Sequence, residues 1–203
     1  ISGSQLPNPS TGSLGGVKSN IGSFGQFVSG ISSDGSLLYG FNNNGLGKTI
    51  AILNPQDYET PTSGYTANLS SRNGRPILNF SHDTGQSALW TSMIPYDANL
   101  ISGLSFNFWW SAQTDLGNVG WKFYLERVNE NSIISEDRFI GPYTIGESSV
   151  PTTGRIKKTS LLLNSGQLSG ISIGEIFRTK ILRDIDIDTA NATAELHKIE
   201  IRS

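Results

Sequence analysis

The segment Leu104-Ser105-Phe106-Asn107-Phe108-Trp109-Trp110-Ser111 decides the fold class. Leu104, Phe106, Phe108 and Trp110 recur at every second position, the period that puts side chains on one face of a β-strand. Trp121-Lys122-Phe123-Tyr124-Leu125-Glu126 repeats the pattern, with Trp121, Phe123 and Leu125 on the inward face. Outward from these two, apolar alternation predicts strands at residues 49–53, 77–80, 87–94, 156–163, 176–183 and 195–201. Asn54-Pro55, Asn73-Gly74, Gly141-Pro142 and Val150-Pro151 punctuate the connections. No window of a dozen residues sustains a 3.6-residue apolar period with caps, so little helix is expected. The chain therefore reads as all-β, a two-sheet sandwich or jelly roll over residues 48–203. Its predicted core contains Phe106, Phe108, Trp110, Trp121, Phe123, Phe177, Ile181, Ile199 and Ile201.

Residues 1–47 are different. They hold 11 of the 23 glycines and two charged residues, Lys18 and Asp34. Leu6, Leu14, Val17, Phe24, Phe27 and Ile31 punctuate the run, too sparsely to enclose a core yet too often for a solvated linker. This predicts an extended, glycine-rich oligomerisation arm ordered against identical neighbours, with a free linker as the alternative. The first residue is Ile1, so further chain is expected upstream.

Composition excludes several classes. The chain has no cysteine, which removes disulfides, thiol nucleophiles and thiolate metal sites. Net charge is −2 and the Lys and Arg residues are scattered along the sequence, which predicts no nucleic-acid partner. No apolar run approaches the ~18 residues of a membrane helix, so no membrane insertion is expected.

The motifs with a chemical reading are weak. Gly47-Lys48-Thr49 hints at a phosphate loop, but the earlier glycine such a loop needs would fall at Asn42, and Ile50-Ala51-Ile52-Leu53 runs into Asn54-Pro55 without opening a helix. Asp184, Asp186, Asp188 and Glu195 match positions 1, 3, 5 and 12 of a calcium loop. Thr189 stands where such a loop needs glycine, however, and the expectation is a solvated loop between the last two strands, with no metal and no cofactor. Of the two histidines, His82 lies in a turn-like tract, and His197 falls in phase with Ile199 and Ile201, as a core or subunit-interface histidine would. With no Gly-x-Ser-x-Gly elbow, no enzyme activity is expected. Trp109 and Tyr124 oppose the inward sets of their strands, so they should be exposed on a sheet or buried between subunits. Together with Asn107 they are the candidate ligand-binding residues, able to stack on sugar rings and hydrogen-bond hydroxyls.

Leu6-Pro7-Asn8-Pro9-Ser10, Leu14-Gly15-Gly16-Val17-Lys18-Ser19, Gln26-Phe27 and Gly30-Ile31 ahead of Asp34-Gly35 resemble a segment of bacteriophage fibre proteins. That segment has the form L-P-x-P-x-x-x-x-L-G-G-V-K-S, then Q-F and G-I-x-x-x-G, and commonly precedes a compact C-terminal domain. Gly103 to Trp110, Val119-Gly120-Trp121, Gly174-Glu175-Ile176-Phe177-Arg178 and Arg183-Asp184 resemble a β-jelly-roll domain of phage structural proteins. Glu175 replaces that domain's usual Asp, and Phe108-Trp109-Trp110 stands where one aromatic is usual. The resemblance implies a virion fibre protein, assembled in the bacterial host cytoplasm, whose distal head attaches to a host-surface glycan or protein. It also implies a homotrimer in contact with other virion proteins. The alternatives are a capsid decoration, cement or head-fibre protein, and a carbohydrate-binding module of a larger enzyme.

Overall fold

A computed structural model describes residues 26–32, 36–41, 47–133 and 135–203. The chain divides into two units, Ile1–Gly45 and Leu46–Ser203. In the first, β1 (Gln26–Ile31) pairs antiparallel with β2 (Leu37–Phe41), from Gln26 opposite Phe41 to Ile31 opposite Leu37, with an irregularity between Val28 and Gly30. The described part of the arm is thus an antiparallel pair of strands. Phe27 and Ile31 lie in β1, whereas Leu6, Leu14, Val17 and Phe24 lie outside the described residues.

The second unit is a two-sheet β-sandwich. Its strands are β3 (Thr49–Leu53), β4 (Tyr65–Thr66), β5 (Asn68–Arg72), β6 (Arg75–Phe80), β7 (Gln86–Met93), β8 (Leu104–Ala112), β9 (Asn118–Val128), β10 (Ile140–Ser149), β11 (Lys157–Leu163), β12 (Ile176–Arg183) and β13 (Ala194–Arg202). One sheet runs β10-β9-β12-β7-β4; the other runs β11-β8-β13-β6-β5, with β3 pairing the C-terminal half of β13. The pairs are antiparallel except β4 with β7. Consecutive strands from β6 onward change sheet at nearly every step, so β8 and β9, adjacent in sequence, face each other across the core. Among the described residues helix is confined to two 3-10 turns, Pro55–Asp57 and Ser165–Leu168.

The alternation in β8 and β9 builds the interior. Phe106 and Phe108 of β8 meet Phe123 of β9 at ring-centroid distances of 4.5 and 5.8 Å, and Trp121 packs edge-on against Phe80 and Trp110 at 5.2 and 5.9 Å. Offset and edge-on rings add to the gain from burying their area. All nine predicted core residues are fully buried. Register along β13 is less regular. Leu196 and Ile199 are three residues apart, so both can face inward only if an extra residue is accommodated. The ladder with β8 accordingly passes from Leu196 opposite Trp110 straight to Lys198 opposite Trp109. This bulge turns His197 to the outer face, away from Ile199 and Ile201, where period-two alternation had placed it.

The loop after β12 also differs from expectation. It is organised around a fully buried Arg183, not a solvated turn. The guanidinium donates to both oxygens of Asp188 (2.6 and 3.0 Å) and to the carbonyls of Phe80, Ala190 and Ala192 (2.8, 2.8 and 2.6 Å), so each of its N–H groups has a partner. Two glycines let β9 approach this loop. A Cβ on Gly117, whose φ is +88°, would lie 2.5 Å from the Thr189 carbonyl oxygen, and one on Gly120 would lie 2.7 Å from that of Asp184.

Candidate binding faces

Tyr124 and Trp109 lie on opposite outer faces of the sandwich, because β9 and β8 belong to different sheets. They cannot form one platform. The five-stranded sheet presents its outward side chains in rungs: Met93, Ile176 and Val128, then Thr91, Arg178 and Glu126, then Leu89, Lys180 and Tyr124. Residues 129–133 and 135–139 fold over one end of this face. Its Phe139 ring receives the Arg178 guanidinium at 5.2 Å and the Lys180 ammonium at 6.0 Å. Arg178 donates to buried Glu126 and to Asp137, both at 2.8 Å. The Arg178 bond, with a second from Thr62, holds the Asp137 carboxyl below its usual range. A cleft of about 230 Å³ remains under the segment, lined in part by Val128, Ile133, Asp137 and Arg178. Tyr124 sits between Lys180, 5.4 Å from its ring, and the backbone at Gly141. The charged groups of the cleft are spent on one another, which makes this end a clasp for residues 135–139.

The outer face of the six-stranded sheet carries a different set of side chains. Lys158 of β11, Trp109 of β8 and Lys198 of β13 stand side by side in one rung. Trp109 is partly exposed, and the Lys158 ammonium lies 5.9 Å from its ring centroid. The next rung holds Ser160, Asn107 and Glu200. Asn107 is only 3% exposed: its carbonyl oxygen accepts from Ser160 at 2.7 Å, and its amide donates to Glu200 at 3.3 Å. It therefore supports the face from beneath, although the sequence reading gave it direct ligand contact. Glu200 also accepts from the Thr49 hydroxyl at 2.7 Å, the main reason its carboxyl titrates lower than usual.

On the other side of the tryptophan rung, Ser111 bonds both Glu195 (2.8 Å) and the Nε2 of His197 (2.9 Å). Glu195 is buried and accepts in addition from Gln113 and Arg72. Burial acts to raise the Glu195 carboxyl, but these donors outweigh it and the net shift is downward. Burial pushes the His197 imidazole down, opposed by the Glu195 charge and assisted by Arg72 and Arg75. The serine hydroxyl lies between the histidine and the acid, and Ser111 itself is almost fully enclosed, so this trio lacks the arrangement of an activated nucleophile.

The remaining sequence candidates are accounted for by ordinary contacts. Lys48 pairs with Asp97, and its backbone exchanges hydrogen bonds with Ser203, so the Gly47-Lys48-Thr49 stretch starts an edge strand. Asp184 and Asp186 face Lys122, Asp188 holds Arg183, and Glu195 meets Arg72. The four carboxylates of the calcium-like spacing do not converge, and no group of three or more metal-ligating side chains is gathered among the described residues.

No family model matches the sequence, and no curated protein matches it either. Among solved structures, the chain is similar to a family 35 carbohydrate binding module from Clostridium thermocellum, at 14% identity and a TM-score of 0.42, covering 74% of this chain and 95% of that one. It is similar to the CBM36-1 domain of a multidomain xylanase from the hindgut metagenome of Trinervitermes trinervoides, at 12% identity and a TM-score of 0.46, over 74% and 94% of the two chains. A third is the C-terminal CBM6 of a marine laminarinase from Zobellia galactanivorans, at 14% identity and a TM-score of 0.42, over 75% and 98%. At such values these likenesses carry no ligand over to this chain.

Proposed function

We propose that this chain is a non-catalytic attachment protein whose sandwich binds a glycan on the outer face of its six-stranded sheet, centred on Trp109. The observation that carries the reading is a partly exposed indole on the outer face of the sheet, beside a hydrogen-bonded row of Asn107, Ser160 and Glu200. A sugar ring offers an apolar C–H face to such an indole and hydroxyls to its polar surroundings. The phage-fibre-like residues of the first 40 positions support displaying this head on a virion, with the glycine-rich arm joining three chains to one another and to other virion proteins.

The test is adsorption of purified, labelled protein to host cells and to an immobilised glycan panel, with Trp109→Ala alongside wild type. Binding that falls with Trp109→Ala, with no sugar released, is the expected result. Protein that decorates capsids and ignores cells would establish the cement alternative. A catalytic domain found upstream in the full gene would establish the enzyme-module alternative.

A further inference from the structure

We infer that the ligand of the Trp109 face is an acidic glycan, a sugar chain bearing carboxylate, sulfate or phosphate groups, which Lys158 and Lys198 bind from either side of the indole; this rests on the glycan-binding reading above. The outward positions of this sheet's strands hold Arg72, Arg75, Lys158, Lys198 and Arg202 but only two carboxylates, Glu195 and Glu200. The chain as a whole is net negative, so this face concentrates positive charge against the overall balance. Both carboxylates are already committed: Glu195 to Arg72, Ser111 and Gln113, and Glu200 to Thr49 and Asn107. Lys158 and Lys198, by contrast, form no salt bridge with a carboxylate of the described residues; the Lys158 ammonium lies against the indole and within the field of the Glu200 carboxylate in the next rung.

Their positions in the ladder set the scale of the site. Neighbouring strands lie about 4.8 Å apart, so the two lysine backbones are separated by roughly 10 Å with the tryptophan midway. A pyranose stacked on that indole places a ring substituent within reach of either flexible lysine stem. A nucleic acid is the less suitable polyanion, since single strands are held by a succession of stacking aromatics and Trp109 is the one aromatic that the described strands of this sheet direct outward.

Binding of the intact protein to immobilised polygalacturonate, dextran sulfate, neutral dextran and single-stranded DNA, at two salt concentrations, tests the inference. Lys158→Gln and Lys198→Gln are the diagnostic variants. Lys157→Gln is the charge control, because its ammonium bonds Ser149 at the sandwich edge. The expected result is binding to one or both acidic polysaccharides that weakens as salt rises. Each diagnostic variant should lose about fivefold, the double variant about 25-fold, and the control less than about twofold, all at unchanged melting temperature. Equal binding to neutral dextran, untouched by the lysine changes but lost in Trp109→Ala, would overturn the acidic class and leave the glycan reading standing. Preference for DNA would overturn the class in favour of nucleic acid. Failure to bind any polysaccharide or any host-cell glycan would remove both readings.

Discussion

Replacing Arg183 with methionine tests the construction of the sandwich most severely. The guanidinium is buried with five hydrogen bonds, two to Asp188 and three to main-chain carbonyls, those of Ala190 and Ala192 within the β12–β13 loop and that of Phe80 at the end of β6. Methionine fills much of the volume but donates nothing, leaving a carboxylate 3% exposed without its partner and the Phe80, Ala190 and Ala192 carbonyls without this donor. Breaking one side of a buried pair costs about 3–5 kcal/mol, chiefly from the stranded charge. In a domain of this size, each kcal/mol moves the melting temperature about 2–4 °C, so the drop should be roughly 6–20 °C. The double variant Arg183→Met/Asp188→Leu removes the stranded charge as well and should recover about half of that loss, though the three carbonyls stay unpaired. Thermal and urea denaturation of wild type, both single variants and the double variant measure these terms as a cycle. If Arg183→Met melts within 2 °C of wild type, or the double variant is less stable than both singles, the buried pair does not hold this loop.

Three further outcomes follow from the geometry, and a fourth from the role proposed for the arm. Phe108→Ala should cost about 3–5 kcal/mol by opening a cavity against Phe123, measurable by urea titration; a loss below about 1 kcal/mol would put the side chain outside the packed core. Gly117→Ala should destabilise far more than Gly64→Ala, because both have positive φ but only Gly117 faces backbone at contact distance, and equal melting temperatures would refute the close approach. His197 has its folded pKa lowered by burial beside Glu195, Arg72, Arg75 and Ser111, so the unfolded chain takes up a proton first; its contribution to stability should be complete above about pH 6.5, decline as pH falls below that, and be abolished in His197→Gln, with parallel pH profiles as the contrary result. Sedimentation at micromolar concentration should give a trimer that weakens when residues 1–40 are deleted, and a monomer of the intact chain would dispose of the arm's proposed role.

The strands that sequence revealed are those with one face predominantly apolar. Alternation in β8, β9 and β12 was legible because each buries every second residue against the opposite sheet. The strands that escaped reading sit at edges. Asn68–Arg72 of β5 is polar nearly throughout, since it packs little and pairs only with β6. In β10, Gly141, Pro142 and Gly146 look like a turn, yet they occupy the irregular positions where the ladder with β9 shifts register. An edge strand accepts proline and bulges because its outer N–H groups have no partner to lose. The β13 bulge had a visible signal: Ala194 and Leu196 are out of phase with Ile199 and Ile201, and only an inserted residue lets both pairs face the core.

Binding residues are harder to read than core residues because exposure is a property of the assembled sheets. Trp109 and Tyr124 have the same local pattern, an aromatic opposite an apolar set, and the sequence treats them alike. Strand order separates them: Tyr124 falls on the five-stranded sheet, beside the residues that clasp Arg178, and Trp109 on the six-stranded sheet between Lys158 and Lys198. The charges show the same effect. Lys158 and Lys198 are 40 positions apart, and in a linear scan they belong to a dispersed, net-negative composition. Antiparallel pairing of β11 and β13 on either side of β8 brings them into one rung with the indole between them, so the electrostatic character of the face arises in the register and not in any local motif. If that register were shifted by one residue in β11, Lys157 would replace Lys158 beside Trp109 and Thr159, now bonded to the Trp110 indole, would turn outward. The Trp110–Thr159 bond inside the sandwich thus fixes which lysine the outer face presents, and Thr159→Val should loosen that choice before it affects the aromatic core.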